Sequence, residues 1–105
     1  MKSWIRRLAL LLLITSVAGC AGERAFREGK SLLAEGRTEE GLTQLETALR
    51  ENPNSVEFRT HLYRQRQLHI QKLLTQGDNA RNTGHFVEAE SWYLQALKFE
   101  ESINL

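Results

Sequence analysis

The apolar positions of this chain fall into two regimes. From Leu8 to Ala18 they form a nearly unbroken run, and after residue 22 they return at spacings of three and four: Leu42, Leu45 and Leu49, then Phe58 and Leu62, then Ile70, Leu73 and Leu74. Spacing of that kind places residues on one face of an α-helix, whereas a half-buried strand would alternate. No long alternating stretch occurs. The pattern therefore predicts an all-α fold.

Glycine and proline divide the periodic part. Residues 23–35 are expected to form one helix, with Gly36 in the left-handed position that ends it, and residues 39–51 a second. Pro53 closes that pair, because proline disfavours helical geometry in the residue before it. The segment from Ser55 to Arg81 contains no proline and one glycine, Gly77. It predicts a single long helix of roughly 40 Å at 1.5 Å per residue. After the turn "NTGHF", a last helix is expected over 87–101.

The chain also resembles itself. Aligning "EGKSLLAEGRTEEGLTQLETALRENP" (28–53) with "QGDNARNTGHFVEAESWYLQALKFEE" (76–101) at a fixed offset of 48 pairs Gly29 with Gly77, Gly36 with Gly84, and Glu40 with Glu88. It also pairs Ala48–Leu49 with Ala96–Leu97, Gly41 with Ala89, and Leu45 with Tyr93. Such self-similarity is the mark of repeat architectures. Gly29, Gly41 and Ala48 would let two helix backbones approach, with Leu32, Leu42, Leu45 and Leu49 filling the seam. In the second copy Gly77, Ala89 and Ala96 are the small contacts, and Leu73, Leu74, Phe86, Tyr93 and Leu97 the fillers.

These residues resemble the tetratricopeptide repeat, a 34-residue helix-turn-helix unit. The family carries small residues at its eighth, twentieth and twenty-seventh positions and a proline near its end. Residues 22–55 match with Gly29, Gly41, Ala48 and Pro53, and residues 70–103 with Gly77, Ala89 and Ala96. Where the family has an early aromatic, this chain has Ala25 and Leu73, and Glu101 stands at the last proline. The resemblance implies two hairpins of an α-solenoid fragment, joined through the long helix because "VEFRTHLYRQRQLH" (56–69) lies between the repeats. Phe58 and Leu62 are expected to cover the first hairpin, and Ile70, Leu73 and Leu74 to serve the second.

The apolar run at the start has a different character. Lys2, Arg6 and Arg7 precede it, and its eleven residues are short against the roughly 20 needed to span a bilayer. That is the plan of a secretory signal. It ends in "VAGC", and Val17, Ala18, Gly19 and Cys20 resemble the bacterial lipobox. The resemblance implies a signal peptide of residues 1–19 removed between Gly19 and Cys20, a lipidated Cys20, and a mature domain of residues 20–105. More than one acyl chain is needed for stable anchoring. Ala21 after the cysteine implies sorting to the outer membrane, facing the periplasm. Cys20 is also the sole cysteine, so no internal disulfide is available.

Charge has to be counted after that cut. The whole chain carries +1, but all thirteen acids and only eleven of the fourteen bases lie in residues 20–105, a net −2. This is not the footprint of a nucleic-acid protein. Within the insert Arg59, Arg64, Arg66 and Lys72 face no acid between Glu57 and Asp78. They form either a solvated helix face or a basic surface for an acidic partner or lipid headgroups.

The inventory offers little to catalysis. His61 and His69 are more than two helical turns apart and cannot share a metal, and His85 stands alone. Glu39 and Glu40 suit the positive end of a helix dipole, and no phosphate-cradling glycine loop is present. No catalytic, metal or cofactor site is expected, and the chain is read as a non-enzyme. An envelope hydrolase would need a nucleophile–base pair that the sequence does not offer.

The repeat resemblance implies protein or peptide binding along the first helices, lined here by Phe26, Lys30, Leu33, Leu74, Asp78 and Arg81, with Arg64 and Arg66 added from the insert. The lysine–asparagine carboxylate clamp of some members is missing, since its positions hold Phe26 and Lys30, then Leu74 and Asp78. Two repeats fall short of the three or so that solenoids need. Phe99, Ile103 and Leu105 are therefore expected to form an apolar end, covered by an envelope protein partner, a second copy or further sequence missing from this chain. The order of lipobox, helix pair, arginine-rich helix and second pair also resembles the amino-terminal region of secretin-like lipoproteins of type II secretion and type IV pilus systems. That implies an alternative role as a fragment or truncated relative of a protein-transport component.

Overall fold

The computed structural model describes the backbone of residues 2–103 and the side chains of residues 2–11 and 22–101. It is all-helical: α1 (Lys2–Ala34), α2 (Thr38–Glu51), α3 (Val56–Asn82) and α4 (Phe86–Ile103), with no strand among the described residues. Where the sequence suggests a helix starting near residue 23, α1 begins at Lys2. The leucine-rich run is itself a strong helix former, so the helix continues through residues 17–20. The chain divides into two compact units, residues 1–62 and 63–105.

The helix ends follow from local chemistry. Gly36 and Gly84 take φ of +83° and +82°, the left-handed region that glycine enters without penalty. Around Gly36, the amide of Arg37 donates to Leu32 O (2.9 Å) and that of Gly36 to Leu33 O (3.1 Å). Around Gly84, His85 donates to Ala80 O (2.8 Å) and Gly84 to Arg81 O (3.1 Å). Both are Schellman ends, and the bonds match one for one at the offset of 48. The register continues into the next helices, with Gly41 N–H on Arg37 O and Ala89 N–H on His85 O, each 2.9 Å. At the α2–α3 junction Ser55 Oγ accepts the amide of Phe58 (3.2 Å), a serine N-cap. Arg59 reaches back to Pro53 O (2.6 Å) and ties the turn to the first coil of α3.

Among the described residues of the first unit, the buried positions are Gly22, Ala25, Phe26 and Gly29 on α1, Gly41, Leu42, Leu45 and Ala48 on α2, and Phe58 and Leu62 on α3. The backbones of α1 and α2 touch at their glycines. A methyl on Gly29 would lie 3.0 Å from Gly41 O and 2.9 Å from Leu45 Cδ2, and one on Gly41 would lie 3.0 Å from Gly29 O. Leu45 is wholly buried in the seam, a burial that contributes about 1.5–3 kcal/mol. Phe58 closes this unit, its ring stacked on Phe26 with centroids 4.5 Å apart.

The second unit is thinner. Ile70, Leu73 and Ala80 of α3 and Ala89 and Ala96 of α4 are buried, and the half-buried Leu74, Trp92 and Phe99 pack against Ile70, Leu73 and Ala96. Gly77 admits the ring of Tyr93, which stands where Leu45 stands in the first unit; a methyl on Gly77 would meet that ring at 2.5 Å. Two expected fillers lie outside: Phe86 is 68% and Leu97 48% exposed. The reason is the number of layers. The first unit has a third helix segment carrying Phe58 and Leu62, while the described residues of the second supply only α3 and α4.

Candidate functional site

In the first unit, α1 brings Phe26, Lys30 and Leu33 onto successive turns. Phe26 is buried, stacked on the ring of Phe58 and in a T-shaped contact with His61 at 5.3 Å and 76°. Its part in the expected binding face is therefore taken up by packing. Lys30 remains at the surface with its ammonium 4.6 Å from the Phe26 ring centroid, a cation–π contact that shields the ring from water. Leu33 is half-buried against Gly41.

In the second unit, Leu74, Asp78 and Arg81 follow one another along α3. Leu74 is half-buried and packs on the Ile70–Leu73–Ala96 cluster. Asp78 is exposed and already engaged: Tyr93 donates its hydroxyl to Oδ1 at 2.5 Å, and Arg81 stands 3.9 Å away. The bond to Asp78 holds the Tyr93 hydroxyl above its ordinary 10.0, because a donor facing a carboxylate resists ionisation. Of the basic insert residues, Arg64 is exposed and Arg66 half-buried. His69 is half-buried, its ring edge-on to Phe99 at 4.7 Å and 90°.

The α1–α2 turn carries an exposed ionic cluster. Arg37 reaches Glu40 through both Nε (3.3 Å) and Nη2, and Glu35 lies 3.7 Å from it. These contacts, led by the bond to Glu40, raise the arginine further above its already high value. The pair ties the residue before α2 to its first turn, where Glu39 and Glu40 also favour the helix dipole.

A hydroxyl–imidazole pair occurs at the equivalent α3–α4 turn, where Thr83 Oγ1 lies 2.8 Å from His85 Nδ1. It is built as a helix end. The Thr83 hydroxyl also lies within hydrogen-bond distance of Asn79 O (3.0 Å) and Ala80 O (3.1 Å), the carbonyls of the last turn of α3, so it is engaged in ending that helix. Among the described residues no three His, Cys, Asp or Glu side chains gather as metal ligands, and no helix is long and apolar enough to cross a membrane. Gly19 and Cys20, the expected processing and lipidation positions, lie outside the residues whose side chains are described.

The outward side of α4 carries Val87, Leu94 and Leu97, all exposed. Their spacing is visible in the sequence, but the match of Leu97 with Leu49 assigns Leu97 to the seam. Comparison with protein-family models, curated proteins and solved structures finds no match for this chain.

Proposed function

We propose that this chain is a lipid-anchored envelope protein of the bacterial outer membrane, facing the periplasm, whose tetratricopeptide-like helices serve as a non-catalytic docking module for another envelope protein. The reading is carried by "VAGC" at the end of an eleven-residue apolar run with a basic start. Its helical part is supported by the repeat, whose two glycine turns share one hydrogen-bond pattern at a fixed offset.

The described start of α1 adds support. Trp4, Ile5, Leu8, Leu10 and Leu11 are all exposed, an apolar concentration that water does not favour. It suits a segment destined for lipid and then for removal. The partner would meet the surfaces that packing leaves open: Lys30 on α1, Arg64 on α3, and Arg81 beside its Asp78 pair. Metabolic labelling with palmitate tests the anchor. The wild-type chain is expected to incorporate label and the Cys20→Ala variant none, and crosslinking in cells should then capture an envelope protein. An unlabelled wild-type chain recovered from the cytosol with residues 1–19 still attached would reject the reading.

A further inference from the structure

Leu94 lies at the centre of the exposed side of α4, with Val87 and Leu97 flanking it at 57%, 85% and 48% exposure respectively. A shallow, mostly apolar groove runs between two rows of side chains spaced by four residues: Val87–Ser91–Gln95 and Glu90–Leu94–Lys98. Rows of this spacing are the ridges by which helices interlock. When both helices use them the axes cross at about −50° and the ridges run side by side.

The second row reads anion, apolar, cation. Laid beside its own copy across a two-fold axis at Leu94, it runs in the opposite direction. Glu90 then meets the second copy's Lys98, Leu94 meets Leu94, and Lys98 meets Glu90. A two-fold interface requires this self-complementarity. Ser91, small and central in the neighbouring row, leaves the groove open for the incoming leucine. Among the described residues neither Glu90 nor Lys98 is held in an ion pair, so both are available to a second molecule.

We propose that α4 pairs with α4 of a second copy of this chain, in an isologous contact centred on Leu94 with Glu90 and Lys98 exchanged between the copies. The inference rests on the α4 surface alone and does not depend on the anchor. A single helix crossing is small for an interface, so the pairing is weak and reversible.

Charge exchange tests it in the detergent-solubilised full chain, by sedimentation over a concentration series reaching millimolar. E90K alone gives a row with two cations and K98E alone a row with two anions. Each is expected to self-associate at least about tenfold more weakly than wild type, because like charges then face each other. Mixed together, the two variants should associate as tightly as wild type. Circular dichroism checks that both keep the wild-type helix content. A wild-type chain that stays monomeric throughout, variants that self-associate like wild type, or a mixture no tighter than its components would each overturn the proposal. None of these outcomes bears on palmitate incorporation, so the two readings fail separately.

Discussion

Gly29 and Gly77 occupy the same place in the two repeats, yet the structure assigns them different tolerances. At Gly29 a methyl meets Gly41 O at 3.0 Å and Leu45, which is fully buried and has nowhere to turn. At Gly77 it meets the ring of Tyr93, which is only half-buried and can swing toward solvent. Overpacking costs about 1–3 kcal/mol, and replacing a mid-helix glycine returns up to about 1 kcal/mol of helix propensity. G29A is therefore expected to lower the urea midpoint clearly, while G77A should lower it less and lose the Tyr93–Asp78 bond. Equal losses in the two variants would contradict this assignment. The bond itself has a pH signature. Since the folded chain holds the Tyr93 proton above the ordinary 10.0, the stabilisation is fully present below that pH and lost as pH rises through the folded-state value. Melting temperatures of wild type and Y93F should differ near neutrality and converge at high pH; a gap that persists in alkali would show that the hydroxyl contributes by some other route.

At the scale of elements, the helix ends were the most legible features and the partition of side chains between core and surface the least. Gly36 and Gly84 announce left-handed ends because no other residue type adopts that backbone so readily, and Pro53 and Ser55 mark the next junction just as locally. Burial depends on what packs above a helix, which spacing cannot state. Phe86 and Leu97 repeat the seam pattern, yet they are exposed because the described part of the second unit lacks the layer that Phe58 and Leu62 give the first. The same limit applies to Phe26, which reads as a binding-face residue and is buried in contact with Phe58 and His61. Capping provides the element-scale test. Ser55 Oγ satisfies the amide of Phe58 at the start of the longest stretch of helix after α1, so S55A should cost about 1 kcal/mol. S55D should recover most of it, because aspartate caps as well and adds favourable charge at the helix start. Thermal melts of the two variants check this, and an S55D chain no more stable than S55A would show that Ser55 acts otherwise than as a cap.

For the whole molecule, the distribution of charge along the sequence makes processing directly measurable. The unprocessed chain carries +1 and has an isoelectric point near 8.0. All of its excess positive charge resides in Lys2, Arg6 and Arg7, ahead of the first acid at Glu23. Cleavage before Cys20 would remove those three bases and no acid, taking the net charge to −2, and acylation of the new amino terminus would remove a further positive charge. No other single cut within the first twenty-two residues after Arg7 changes this count, because residues 8–22 contain no charged side chain. Isoelectric focusing therefore reports that the basic segment has been lost, while acyl labelling reports where. The wild-type chain isolated from membranes is expected to focus on the acidic side of neutrality. C20A, which removes the cysteine that the proposed processing requires, should keep residues 1–19 and focus near the basic value. A membrane-derived wild-type chain that still focuses as a base would mean that the amino-terminal segment stays in place, and that the exposed apolar residues Trp4 to Leu11 serve the mature protein rather than its export.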